Sequence, residues 1–201
     1  MFRKMIMEIF SDIWPMILIF SLISISLRIV YIYINKKKFI FYKEIINLCF
    51  IVYIICLFRV ISFQDVSWST SNFIPFKEMF RYNFGSKLFF KNVIGNMIMF
   101  IPYGFFISYI LKIRKPILIF ILSLFASTII EFTQLQIGRV FDIDDIFLNI
   151  IGGLIGYIIY IFISKIKFKR LPNELIYNII IVIIIIFLIL YLMGVVYVWN
   201  I

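Results

Sequence analysis

GRVFDIDDIFLNIIGG, residues 138–153, is the stretch on which the fold turns. An arginine precedes three carboxylates, Asp142, Asp144 and Asp145, and the acids lead straight into an apolar run that continues past Gly153. Acids at the head of an apolar run fit a helix N-terminus, where Asp142 can cap and the others complement the dipole. Capping accounts for one or two acids. It accounts less well for three, which repel one another within a turn unless an arginine or a cation relieves them.

The surrounding chain says what the helix enters. Of 201 residues 64% are hydrophobic, with mean hydropathy +1.11, against about 45–50% apolar residues in soluble domains. So little polar surface cannot wrap a water-soluble core, and lipid is the implied solvent. Six stretches approach the roughly 20 apolar residues a span requires: Ile13–Ile34, Ile45–Phe63, Val93–Leu111, Ile117–Ile137, Ile146–Ile163 and Leu175–Val198. The expected fold is all-α, a polytopic transmembrane helical bundle. The first span is too long for a signal-peptide core and lacks a cleavage site after it.

The net charge of +10 does not indicate nucleic acid, because the basic residues lie in short tracts between apolar runs. Segments 35–44 (NKKKFIFYKE), 112–116 (KIRKP) and 165–170 (KIKFKR) alternate with the spans and therefore share one face. The positive-inside rule makes that face cytoplasmic. A multi-pass protein of a bacterial cytoplasmic membrane is expected, with both termini outside together with loops 64–92 and 138–145. In the first of these loops Phe76, Met79, Phe80 and Phe84 recur at helical spacing around Lys77, Glu78 and Arg81. A short interfacial helix and an irregular loop both fit that pattern.

Orientation gives the remaining polar residues meaning. On the fourth span Ser123, Ser127, Glu131 and Gln134 fall on one helix face. That face is expected inside the bundle, because a charge facing lipid costs about 2.5–3.5 kcal/mol. Asn92 and Asn96 lie in the outer turns of the third span, Asn149 in those of the fifth, and Arg59 near the outer end of the second. Pro102 frees the carbonyl of Ile98, which needs another partner or a bend. Gly152 and Gly156 form a GxxxG that admits a close neighbour. Arg28 of the first span stands apart from this outer-half gathering. Histidine is absent, which excludes His-based triads and ligands, and Cys49 and Cys56 are too far apart along a helix to bridge.

Four segments carry a family resemblance: NFIPF (72–76), NVIGNMIMFIPYG (92–104), EFTQ (131–134) and GRVFDIDDIFLNIIGG (138–153). In this order they resemble the VanZ-like family of bacterial membrane proteins. The resemblance divides the chain into 1–44 (first span and basic loop), 45–163 (a four-helix VanZ-like core) and 164–201 (basic loop and sixth span). The family's motif positions fall here on Asn72, Pro75, Phe76, Asn92, Gly95, Asn96, Pro102 and Gly104, then on Glu131, Gln134, Arg139, Phe141, Asp142, Asp144, Asp145, Asn149 and Gly152. The resemblance implies a link to resistance against teicoplanin, a lipid-bearing glycopeptide acting at the outer leaflet.

The leading functional expectation is a protein that binds or modulates an outer-leaflet amphiphile: a lipoglycopeptide, a lipid-carried cell-wall precursor or a phospholipid headgroup. Arg59 and Arg139 would pair with its anionic group, and Asn72, Asn92, Asn96 and Asn149 would supply hydrogen bonds. The alternative is an intramembrane enzyme with Glu131 as general base and Asp142, Asp144 and Asp145 holding a divalent cation. No other cofactor is expected, and the partners are membrane lipids or a lipid-linked ligand. A transporter fits less well, since the polar residues avoid the midplane. A purely structural reading pairs Glu131 with Arg59.

Overall fold

In the computed structural model residues 2–62, 71–77, 79–165, 176–180 and 183 are described. Their architecture is helical. Helix α1 spans Phe2–Ile34, α2 Phe41–Ser62, α3 Lys87–Phe89, α4 Gly95–Leu111, α5 Pro116–Gln136 and α6 Ile143–Lys165. A π-helical segment, Phe90–Ile94, joins α3 to α4, so the third apolar stretch runs unbroken over Lys87–Leu111. Among the described residues five helices are long and apolar enough to cross a membrane. The expected sixth span, Leu175–Val198, lies outside the described residues except at 176–180 and 183.

Helix ends follow local chemistry. Helix α4 stops at Lys112, which takes the left-handed conformation (φ 53°) and donates its N–H to the Ser108 carbonyl. Pro116 then opens α5 at a position where its missing N–H is harmless. At the far end of α5, Gly138 adopts φ 82°. This left-handed residue folds the chain back, so that Gly138 N–H meets Leu135 O at 3.2 Å and Arg139 N–H meets Gln134 O at 2.9 Å. Both are the bonds of a Schellman C-cap. Helix α6 begins one residue after Asp142, whose Oδ1 accepts the Asp144 N–H at 2.9 Å, the bond of an N-capping side chain.

The core is α4, α5 and α6, with α4 and α6 making the most extensive pairing. Their backbones nearly touch. A Cβ added to Gly152 would strike Met97 O, one on Gly156 would strike Ile101 O, and one on Gly104 would strike Gly153 O. Lipid offers no hydrophobic drive to bring helices together, so small residues that permit close dispersion contact take over that task. Ile113, Ile119 and Tyr157 close the opposite end of this core, where Tyr157 donates its hydroxyl to Arg114 O at 2.8 Å.

Helix α2 packs on α4 through Tyr53, whose hydroxyl donates to Met99 O at 2.9 Å. That carbonyl neighbours the Ile98 carbonyl freed by Pro102, and α4 continues through the proline. Helix α1 lies outside the core, paired with α2. Ion pairs tie the two at both ends. Arg28 grips Glu44 through two bonds of 2.6 and 3.0 Å, and Arg59 Nη2 meets Asp12 at 2.5 Å. Arg28, isolated in the sequence, thus has its partner on the neighbouring helix. Cys49 and Cys56 are free thiols.

Candidate functional site

The end of the bundle where α2 and α5 finish and α3 and α6 begin gathers the acids. The loop that returns from α2 crosses the entry to α6. Asn72 pairs with residues 141–143 as a parallel bridge: Asn72 N–H to Phe141 O at 2.9 Å, and Ile143 N–H to Asn72 O at 3.1 Å. Its side chain continues the contact, donating to Asp142 Oδ1 at 2.9 Å and accepting from the Ile74 N–H at 3.2 Å.

The three aspartates divide their labour. Asp142 caps α6 and receives Asn72. Asp144, only 1% exposed, points back into the loop and accepts the Phe76 N–H at 2.5 Å and the Met79 N–H at 3.0 Å. Asp145 accepts the side-chain amide of Asn96. Phe76 sits at φ 67°, a strained conformation for a bulky residue, and the Asp144 bond holds it there. The Phe76 ring stacks on Phe147 at 5.5 Å, and the Phe73 ring on Phe141 at 5.4 Å. The loop is therefore fastened by its backbone, through carboxylates, and by its rings, through Phe141 ahead of α6 and Phe147 within it.

Glu131, also 1% exposed, accepts the Asp142 N–H on Oε2 at 2.9 Å. With the Gln134 amide oriented to satisfy both its ends, Gln134 donates to Glu131 Oε1 at 3.0 Å and accepts from Arg139. Arg139 also reaches Ile61 O at 3.4 Å, linking α5 to the end of α2. Burial pushes the Arg139 guanidinium below its ordinary pKa, while the charges of Glu131 and Asp145 oppose that shift. One turn deeper, Asn149 donates to Ser127 Oγ at 2.9 Å. The stripe Ser123, Ser127, Glu131 and Gln134 is buried between α5 and α6.

Several expectations change. Arg59 does not hold Glu131; its guanidinium pairs with Asp12 of α1, while Glu131 is satisfied by Gln134 and the Asp142 amide. Asp12 escaped the sequence reading because it stands just before the first apolar run and looks like a flank. Among the described residues no group of three or more Cys, Asp or Glu side chains is placed to hold a metal ion. Asp142 and Asp144 both hold the loop at 72–79, while Asp145 takes Asn96. The segment 76–84 forms turns where it is described, the irregular-loop alternative of the two its spacing left open, with a single helical-register bond from the Phe80 N–H to Phe76 O at 3.2 Å. Asn92 lies half-buried in the π segment, Gly95 follows it, and Pro75 is exposed in the turn before Phe76. Phe147 and the Met79 amide join the site without any signal in their spacing. Ser127 was visible as part of the α5 stripe.

These features define a class: a polytopic helical membrane protein with a cluster of acids and amides knotted at one end of its helical bundle. The family model described as VanZ/LLP1 matches residues 45–164, and the chain belongs to that family. No curated protein matches the chain, and no solved structure matches it.

Proposed function

We propose that the acid-bearing end faces the outside of a bacterial cytoplasmic membrane and recognises an outer-leaflet amphiphile. The class includes a lipoglycopeptide antibiotic, a lipid-carried cell-wall precursor and a phospholipid headgroup, and protection against teicoplanin is its sharpest form. The carrying observation is the use made of the buried acids. Asp144 and Asp142 are spent on fixing one loop, and that loop turns Phe73, Ile74, Phe80 and Phe84 outward, with Phe80 80% and Phe84 92% exposed. Lys77, Arg81, Lys87 and Lys91 stand exposed among them. An aromatic and cationic lip at a lipid–water boundary suits a ligand with an anionic head and an acyl tail. The alternation of three basic tracts with the apolar spans along the sequence supports the orientation.

The test is susceptibility in a sensitive bacterial host, measured with teicoplanin and with a glycopeptide that lacks an acyl tail. Expression of the chain is expected to raise tolerance severalfold to the tailed compound alone. Asp144→Ala and the pair Phe80→Ser/Phe84→Ser are expected to abolish the gain while the protein still reaches the membrane. Unchanged teicoplanin tolerance on expressing the wild-type chain sinks the resistance form of the reading. Wild-type protection in the Phe80→Ser/Phe84→Ser variant removes the lip from it.

A further inference from the structure

One buried carbonyl in the bundle is left unexplained by the knot above it. Asn149 is 1% exposed and donates Nδ2 to Ser127 Oγ at 2.9 Å, yet its Oδ1 is buried and accepts nothing among the described residues. The Ser108 and Ser123 hydroxyls are buried without partners too. A hydroxyl can turn its proton to a carbonyl of its own helix. An amide oxygen has no such exit and needs a donor or a cation.

Asp145 stands one turn from Asn149 on the same face of α6. It accepts a bond from the Asn96 amide of α4, and neither its second oxygen nor Asn96 Oδ1 has a hydrogen-bond partner among the described residues. With Nδ2 committed to α5, the planar Asn149 amide turns Oδ1 away from that helix. Helix α4 flanks the face on the other side, where Gly152 lies against Met97 O. Charge points the same way. Glu131 and Asp145 take their hydrogen bonds from neutral groups, and neither forms an ion pair among the described residues. The charge of Arg139 acts on both. One guanidinium against two carboxylates leaves a negative charge uncompensated, which burial makes costly. We propose that Asp145 Oδ2, Asn149 Oδ1 and Asn96 Oδ1 bind one sodium ion. Hard cations take oxygen ligands, and one carboxylate among neutral oxygens suits a single positive charge. Cβ atoms four residues apart on a helix are about 5–6 Å apart. A calcium-sized ion such as sodium bridges that gap, with oxygens about 2.3–2.6 Å away on either side. The backbone contact at Gly152 fixes the spacing of α4 and α6, which disfavours the larger potassium. The site uses none of the residues of the loop lip, so it goes beyond the proposed amphiphile recognition.

The full chain, purified in mild detergent with choline chloride as the balancing salt, can be given radioactive sodium and counted by scintillation proximity against rising sodium or potassium chloride. The wild type is expected to bind the tracer, with sodium displacing it far better than potassium. Asp145→Asn and Asn149→Leu are each expected to weaken binding by about tenfold or more, the worth of one lost contact to a charged group. Asp12→Asn, which removes an acid outside the site, is expected to bind as the wild type does. Thermal melting separates lost binding from lost fold. In choline chloride Asn149→Leu is expected to melt close to the wild type, and added sodium is expected to raise the melting temperature of the wild type but not of this variant. A wild-type chain that binds no sodium overturns the proposal. So does potassium competing as well as sodium, or Asn149→Leu binding as tightly as the wild type. The assay contains no antibiotic and no added lipid, so its failure leaves the proposed amphiphile recognition standing.

Discussion

Helix α6 meets its two neighbours by opposite means. Against α4 it uses almost no side chain: Gly152 and Gly156 admit the α4 backbone so closely that a single added Cβ would collide with it. Against α5 it uses polar side chains, with Asn149 on Ser127 and the Asp142 amide on Glu131. The first seam is sterically exact and chemically bland. The second is chemically specific and leaves loose ends, since Asn149 Oδ1 and Ser123 Oγ have no hydrogen-bond partner among the described residues. In lipid, where apolar faces gain nothing by leaving solvent, a bundle needs both devices. Close contact supplies affinity, and the polar bonds fix which end of which helix lies where.

The strongest way to break this contrast is at the glycine seam. Gly156→Leu places a branched side chain against the backbone atoms Ile101 O and Phe105 N, neither of which can rotate away. A loss on the order of 3 kcal/mol is expected, enough to cost most of the monodisperse protein on size-exclusion chromatography of a fluorescent fusion. A Gly156→Leu variant with wild-type yield and melting temperature would falsify the close approach.

A smaller and more local effect is expected at the knot. Asp144→Ala removes the acceptor for two backbone N–H groups, each worth roughly 1–3 kcal/mol if left buried. The loop escapes that cost by moving out to water. Limited trypsin digestion is therefore expected to cleave faster after Lys77 and Arg81, with the bundle's melting temperature nearly unchanged. Should the melting temperature fall as far as in Gly156→Leu, the knot holds the bundle and not merely the loop.

The mildest change is Asn149→Leu. It loses the Ser127 bond, worth about 0.6 kcal/mol between helices in a membrane, and also removes the buried oxygen without a partner. The two effects oppose each other, and thermal melting is expected to move by no more than a degree or two. A large fall would show that Asn149 carries more of the α5–α6 seam than its one bond accounts for.

How far the site was legible depended on range. The Ser123–Ser127–Glu131–Gln134 stripe follows from helical periodicity, which is local, and all four are buried on one face. The glycine pair at 152 and 156 was equally local. The partners were not. Nothing in the spacing of Asp144 points to the amides of Phe76 and Met79, 68 and 65 residues away, and the Asn72–Asp142 pairing spans 70. Arg59 illustrates the limit well. Its charge and depth were readable, but its partner is Asp12, not Glu131.

The sequence by itself determined that this chain is a bundle of apolar helices, where α2, α4, α5 and α6 fall within a few residues though not that α1 begins as early as Phe2, and that its acids and amides collect at the end away from the basic tracts. Those features rest on composition and on periods of three to four residues, which act over a single helix. Only the tertiary structure decided that the three aspartates part company, one capping α6, one fastening the loop and one taking Asn96. The reason is physical: a buried carboxylate is satisfied by whichever donor the fold brings within about 3 Å, and that donor belongs to a distant part of the chain.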